Sequence, residues 1–283
     1  MENNHWNKTE TQTIAGVTVY AGTLERVVEQ LAVSIENNDS LQSHCISATG
    51  AHGIVTAFQN NAFKDLLSRF YLNLPDGMPL VFIARAKGFF GANRCYGPNL
   101  FLKVLERTSP FAAHFFCGGK PDVAQSLKLA MEKRFAGVKI AGTYTPPFSP
   151  MSILDWETLV SEIEVAKPQF IWVGLGTPKQ EQFAWELSQK VKVSYIITIG
   201  AAFDFYTGQV RQAPGWIQQL SLEWLYRLVQ EPGRLAGRYS RIVPTFALLG
   251  ITNLATYYFK KIVGWYEANS CLWCRGVYWR ASS

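Results

Sequence analysis

The residues of this chain able to do chemistry cluster where apolar runs give way to turns. Asp76 follows Leu72-Asn73-Leu74-Pro75 and precedes Gly77, a carboxylate at the end of what reads as a buried strand. Asp-Gly is common turn chemistry, so a surface turn and an active-site carboxylate both fit. Asp204, just beyond the apolar run Tyr195 to Ile199, poses the same alternative, and two carboxylates at neighbouring strand ends could flank one cleft. Glycines close three apolar runs: Gly118 and Gly119 in CGGKP, Gly174 and Gly176 in VGLGTPK, and Gly200 in IGAA. Glycine lets backbone approach a phosphate, and a following helix N-terminus offers free N–H groups and a favourable dipole. Arg234, Arg238 and Arg241 follow at spacings of four and three, which puts them on one helix face, with Arg227 seven residues earlier. A solvated face is one reading of such a row. Guanidinium forks also suit phosphate oxygens.

The elements that position these residues alternate. Candidate strands are His44 to Ala48, Phe70 to Leu74, Ala113 to Cys117, Val138 to Ala141, Gln169 to Val173 and Tyr195 to Ile199. Helix-like stretches lie between them: Ile54 to Arg69, Pro79 to Lys87, Asn99 to Glu106, Pro121 to Phe135, Ile153 to Ala166 and Pro178 to Lys190. Strand then helix, repeated, predicts an α/β fold with an open, mostly parallel sheet flanked by helices. Ligands in such sheets sit beyond the carboxyl ends of the strands. Pro121 and Pro178 fit the first turn of helices there. A nucleotide site follows as an expectation.

A chain of 283 residues, 48% hydrophobic, can bury a large core. Its net charge of +6 resides entirely in residues 205–283, where basic side chains outnumber acidic ones nine to three. A neutral body therefore carries a basic, aromatic tail suited to something anionic: a nucleic acid, a membrane surface or a phosphate-bearing substrate. In the tail, Leu220 to Leu228 suits a helix that Pro232-Gly233 breaks. The apolar stretch Ile242 to Phe259, with Lys260, Lys261, Trp265 and Tyr266 after it, suits an interfacial or docked segment more than a spanning one. The polar first residues lack the layout of a signal peptide. Five cysteines without scaffold spacing point to a reducing compartment, and Cys271-Leu-Trp-Cys274 stands without a partner pair. The four histidines, His5, His44, His52 and His114, lack ligand spacing and are expected to be structural.

Several chemistries are disfavoured. No Asp-x-Asp pair occurs to grip a metal and a diphosphate, and no GxxxxGK[ST] loop is present. GLGTPK is half of a dinucleotide fingerprint, with Lys179 where the third glycine belongs. A nucleotide-binding oxidoreductase, against which the incomplete fingerprint counts, and a non-catalytic module gripping nucleic acid or membrane both stay open at this point.

In order along the chain, LPDGMPLV, RCYGPNLF, FFCGGKPDVA, VGLGTPKQEQFAWE, IGAAFDFYTGQVRQAPGWIQ and LEWLYRLVQEPGRLAGRY resemble the WecG/TagA/CpsF glycosyltransferases (glycosyltransferase family 26) over about residues 45–245. The resemblance implies a Rossmann-like body, residues 1–212, and a helical, basic appendage, residues 213–283. It implies inverting transfer, without metal or cofactor, from a UDP-sugar to a polyprenyl-diphosphate-linked sugar at the inner membrane face, with no nucleic-acid partner. In that pattern Asp76 is the general base and Arg94 of RCYG meets charge on the diphosphate or acceptor. Gly118 and Gly119 form one nucleotide-side turn, and Gly174, Gly176 and the block Pro178, Lys179, Gln180, Glu181 another. Gln180 is implied to contact the nucleotide-sugar. Asp204 matches the family's FDF, and Arg227, Arg234 and Arg238 match tail arginines that offset leaving-group charge. Thr49 is the hydroxyl nearest the family's Thr-x-Asn. The PDG variant, where many members have ADG, is closer to exopolysaccharide (xanthan-type) glucosyltransferases, which leaves UDP-glucose and a UDP-N-acetylmannosamine-type sugar open as donors.

Overall fold

The computed structural model describes residues 10–38, 42–147 and 155–278, with side chains through residue 263. The described residues begin with a hairpin of β1 (Thr11–Ile14) and β2 (Val17–Tyr20), then α1 (Leu24–Glu36). Strand β3 (His44–Thr49) leads to α2 (Ala51–Gln59) and α3 (Asn61–Ser68), and β4 (Leu72–Pro75) to α4 (Met78–Ala86) and α5 (Gly97–Thr108). The strand–helix pairs β5 (Ala113–Gly118) with α6 (Val123–Arg134), β6 (Lys139–Tyr144) with α7 (Trp156–Ala166), and β7 (Phe170–Gly174) with α8 (Lys179–Ser188) follow. β8 (Tyr195–Thr198) ends the sheet, and α9 (Ala202–Tyr206), α10 (Gly215–Gln219), α11 (Glu223–Gln230) and α12 (Pro232–Tyr278) complete the described chain.

Strands β3 to β8 form one six-stranded sheet in the order β4-β3-β8-β7-β5-β6, with every pair parallel. All six strands expected from the sequence are present, each within two or three residues of its expected ends. Strand side chains alternate between two cores, as a sheet covered on both faces requires. On β5, Phe116 packs with Leu100 and Phe101 of α5 and Leu127 of α6, whereas Phe115 and Cys117 pack with Leu159 of α7 and Phe183 of α8.

Three expectations change. Ile54 to Arg69 is two helices, because Asn60 leaves helical geometry and its side chain caps α3 by accepting from the Phe63 N–H at 3.1 Å. Pro121 and Pro178 precede their helices instead of sitting in the first turn. The hairpin and α1 were not foreseen. Their turn, Ala15-Gly16, has positive φ at both residues, the geometry for which Asn-Gly is the usual signal.

The hairpin, α2, α4 and α12 share a third core, into which α12 inserts Ile242, Phe246 and Leu249. Further along α12, the Asn253 side chain donates to the Thr13 carbonyl at 3.2 Å, and the Tyr257 hydroxyl to the Lys87 carbonyl at 2.8 Å. One face of the Ile242 to Phe259 stretch is therefore docked on the body, while Leu248, Ile251 and Phe259 face outward. By length and composition alone, Pro232–Val263 also meets the requirement for crossing a membrane. His5 and the polar first residues lie outside the described residues, as do the side chains of Trp265, Tyr266, Cys271 and Cys274.

Candidate active site

The sheet's connections diverge between β5 and β7: from β5 the chain moves outward to β6, and from β7 inward to β8. A crevice opens at such a switch point, beyond the carboxyl ends of the two strands. Gly118 and Gly174 are paired there. Gly118 has φ +129°, and a Cβ on it would stand 2.6 Å from the Gly174 carbonyl oxygen, while the Gly119 N–H donates to that same oxygen at 3.0 Å. Only glycine fits this close approach. The crevice encloses about 800 Å³ and is walled by Gly119, Gly174 and the side chains of Lys120, Lys179, Asp204 and Arg234.

Asp204 sits in α9, one turn after β8. Burial pushes its carboxyl above the usual range, while Lys120, Arg227 and Arg234 pull it down. Arg227 of α11 lies near the Phe205 ring, 5.8 Å from its centroid, and its Nε is buried without a hydrogen-bond partner.

Asp76 is held at the end of β4. Its N–H donates to the Thr49 carbonyl at 3.1 Å, its Oδ1 accepts from the Gly97 N–H at 2.7 Å, and its carbonyl accepts from Arg94 Nε. Oδ2 is turned toward Gly50, lying 3.8 Å from where a Cβ on that glycine would be. Burial raises its pKa from 3.8 to about 6; Arg94, the Gly97 N–H and Arg227 oppose the rise and Glu223 adds to it. A half-buried carboxylate with a raised proton affinity and one loosely held oxygen is suited to take a proton near neutral pH. Arg227 interacts electrostatically with both Asp76 and Asp204.

Arg94 is fully engaged. It stacks on Tyr96 with its guanidinium 3.7 Å from the ring centroid, and donates to Gln218 Oε1 at 3.1 Å and Glu223 Oε2 at 2.6 Å. The other Glu223 oxygen accepts from the Tyr96 hydroxyl at 2.8 Å. Glu223 and Gln218 thus fasten α10 and α11 over the Asp76 loop. Neither stood out in the sequence, since an acid inside LEWLYR carries no local signature.

The remaining expected residues build the walls. Gln180 and Glu181 are both 1% exposed. Gln180 Oε1 accepts from the N–H groups of Gly176 and Gly200 at 3.2 and 3.0 Å, which ties the β7 and β8 loops together. Glu181 Oε1 accepts from Ser47 (3.2 Å), Thr177 (3.0 Å) and Gln180 (2.9 Å), and Thr49 donates to Ser47 at 2.8 Å. Burial pushes the Glu181 carboxyl up. Gln180 is spent on the protein, whereas the second Glu181 oxygen, Oε2, is buried without a hydrogen-bond partner. The arginine row divides: Arg234 lines the β5/β7 crevice, whereas Arg238 faces His52 across a separate groove. His44 packs against the tilted rings of Tyr71 and Tyr195, and buried His114 joins Thr108 and Trp172 by hydrogen bonds, the structural roles expected of them. Among the described residues no cluster of His, Cys, Asp or Glu could hold a metal ion.

The sequence model described as the Glycosyl transferase WecG/TagA/CpsF family matches residues 12–259. A Bacillus subtilis protein named N-acetylglucosaminyldiphosphoundecaprenol N-acetyl-beta-D-mannosaminyltransferase is 29% identical over 219 residues, 76% of this chain and 83% of its own length. A protein of the same name from Bacillus spizizenii is 28% identical over 179 residues, 63% of this chain and 68% of its own.

Proposed function

The chain belongs to the WecG/TagA/CpsF glycosyltransferase family, and we propose that this member transfers a sugar from a UDP-sugar to a polyprenyl-diphosphate-linked sugar with inversion, using Asp76 as general base. The acceptor class comes from the names of the relatives, which act on an N-acetylglucosaminyl diphosphoundecaprenol. The donor is UDP-N-acetylmannosamine or UDP-glucose.

The observation that carries the reading is the placement of Asp76. Oδ1 is fixed by the Gly97 N–H, Oδ2 is turned to the Gly50 side, and Arg227 links this carboxyl electrostatically to the basic crevice at β5/β7. With the UDP diphosphate in that crevice, the acceptor hydroxyl approaches Asp76 from the opposite side of the anomeric carbon. Its proton passes to Asp76 as its oxygen bonds to that carbon. The bond from carbon to the β-phosphate oxygen breaks, and its electron pair leaves with UDP. Lys120, Arg227 and Arg234 offset the charge that develops, which is electrostatic stabilisation supplied by side chains. Gln180 and Glu181 act as positioning residues that hold the glycine loops, and Thr49 joins their network from β3.

Residues 213–283 serve in this reading as an appendage that closes the site and meets the inner face of the membrane. The support is the outward apolar surface of Trp216, Leu225 and Val229 next to the site, and of Leu248, Ile251 and Phe259 on α12, together with the tail's positive charge.

The test is a panel of UDP-sugars with a polyprenyl-diphosphate-linked acceptor, with and without EDTA, for wild type and Asp76→Asn. Transfer that survives EDTA, and is lost in Asp76→Asn while UDP still binds, is the expected result. An active Asp76→Asn enzyme overturns the base assignment.

A further inference from the structure

The reaction just described involves two diphosphates, the donor's and the acceptor's, and the arginines of the tail divide between two places. Arg227 and Arg234 serve the crevice that holds Asp204. Arg238 and Arg241 do not reach it. They line a groove of about 330 Å³ between α2 and α12, opposite His52, Thr56 and Gln59, and no carboxylate lines it. The Thr56 hydroxyl is spent on the His52 carbonyl at 2.9 Å, which leaves two guanidiniums facing a neutral imidazole and a carboxamide, with no acid lining the groove: a receptor for phosphate oxygens.

One end of the groove lies two residues along the chain from Gly50, the residue beside Asp76 Oδ2. Gly50 is the N-cap of α2, and His52 lies in that helix's first turn. From His52 to Gln59 is roughly 10 Å along the helix. A sugar whose hydroxyl meets Asp76 would carry its anomeric phosphates into that span. Beyond the groove α12 continues to the exposed side chains of Leu248, Ile251 and Phe259, an apolar track. Burial, with Arg238 beside it, holds His52 neutral by pushing its pKa down to about 4, so in the free enzyme the ring offers one N–H without adding a third charge.

We propose that the α2/α12 groove is the binding site for the acceptor's diphosphate, with Arg238 and Arg241 gripping the phosphates opposite His52 and the lipid leaving along α12. This rests on the acceptor reading given above, and it moves Arg238 from the donor to the acceptor.

The experiment uses the full chain and two acceptors bearing the same sugar, a water-soluble short-chain prenyl diphosphate and a phosphate-free alkyl glycoside. Arg238→Gln and Arg241→Gln are each expected to lower kcat/KM for the diphosphate acceptor about tenfold or more. Preference for it over the glycoside falls equally, and KM for the UDP-sugar barely moves. Equal losses with both acceptors, or a rise in donor KM instead, overturn the proposal. So does a loss seen only with anionic vesicles present, which would make the groove a lipid-headgroup site. If wild type transfers to neither acceptor, it is the transferase reading that fails. Calorimetry of the short-chain diphosphate on wild type and Arg241→Gln then still decides the groove, since unweakened binding in the variant overturns it.

Discussion

Replacing Asp76 with Asn should destroy turnover and, at neutral pH, make the protein more stable. The folded protein raises the pKa of this carboxyl from 3.8 to about 6. Between those values the native state holds a proton that the unfolded chain has released, so native stability falls as pH rises through that interval. Each unit is worth about 1.36 kcal/mol, and the rise of about two units amounts to about 3 kcal/mol at pH 8. Asn has no charge to desolvate, and its carbonyl oxygen can keep the 2.7 Å bond from the Gly97 N–H. In urea or thermal unfolding of both proteins from pH 4 to 8, Asp76→Asn should gain up to about 3 kcal/mol at pH 8, or roughly 6–12 °C in Tm. The gap should narrow below pH 6 and close near pH 4. A variant no more stable than wild type at pH 8, or a gap that persists at pH 4, refutes the claim that the site strains its own base.

The same carboxyl should set an acid limb near pH 6 in kcat/KM, with activity falling about tenfold per unit below it. Glu223→Gln removes a charge that raises Asp76 and should move the limb to lower pH, whereas an unmoved limb would separate Glu223 from Asp76. Gly118→Ala should destabilise the chain by about 1–3 kcal/mol and weaken UDP binding by calorimetry, because φ is positive and the Gly174 carbonyl lies 2.6 Å from the new Cβ. Unchanged UDP affinity would take the phosphates away from that strand end. Deleting residues 215–283 removes Gln218 and Glu223 from Arg94 and the outward apolar surface with them; activity on a lipid-linked acceptor and sedimentation with anionic vesicles should both drop, and full activity of the shortened chain would deny the appendage a part in the site.

The sheet was legible because its strands are short apolar runs between turn residues, a pattern each run carries by itself. Asp76 and the glycines were legible for a related reason, since in a parallel sheet the carboxyl end of a strand is where ligands meet the chain. The hairpin was not, because Ala15-Gly16 reaches a doubly left-handed turn without the usual Asn-Gly signal. Glu223 was hidden for a different reason. Its partners Arg94 and Tyr96 lie more than 120 residues away, and only packing of α11 reveals them. The roles of Gln180 and Glu181 also depended on burial: the motif marks them as important, but whether they face ligand or protein is a property of the folded loops.

Helix α11 is amphipathic in the reverse of the usual sense. It turns Glu223 and Arg227 to the site, shows Leu225 and Val229 to the outside, and contains no buried residue. α12 instead anchors itself with Ile242, Phe246 and Leu249. Lifting α11 therefore breaks polar contacts that water can replace, each worth about 1 kcal/mol net for a neutral bond and more for the ion pair, and one edge-to-face contact of Trp224 with Tyr239, and it opens no apolar core. The appendage is a latch of charge on a hinge of hydrocarbon. Salt loosens the first and leaves the second, so α11 can lift from the Asp76 loop while α12 keeps its hold on the body.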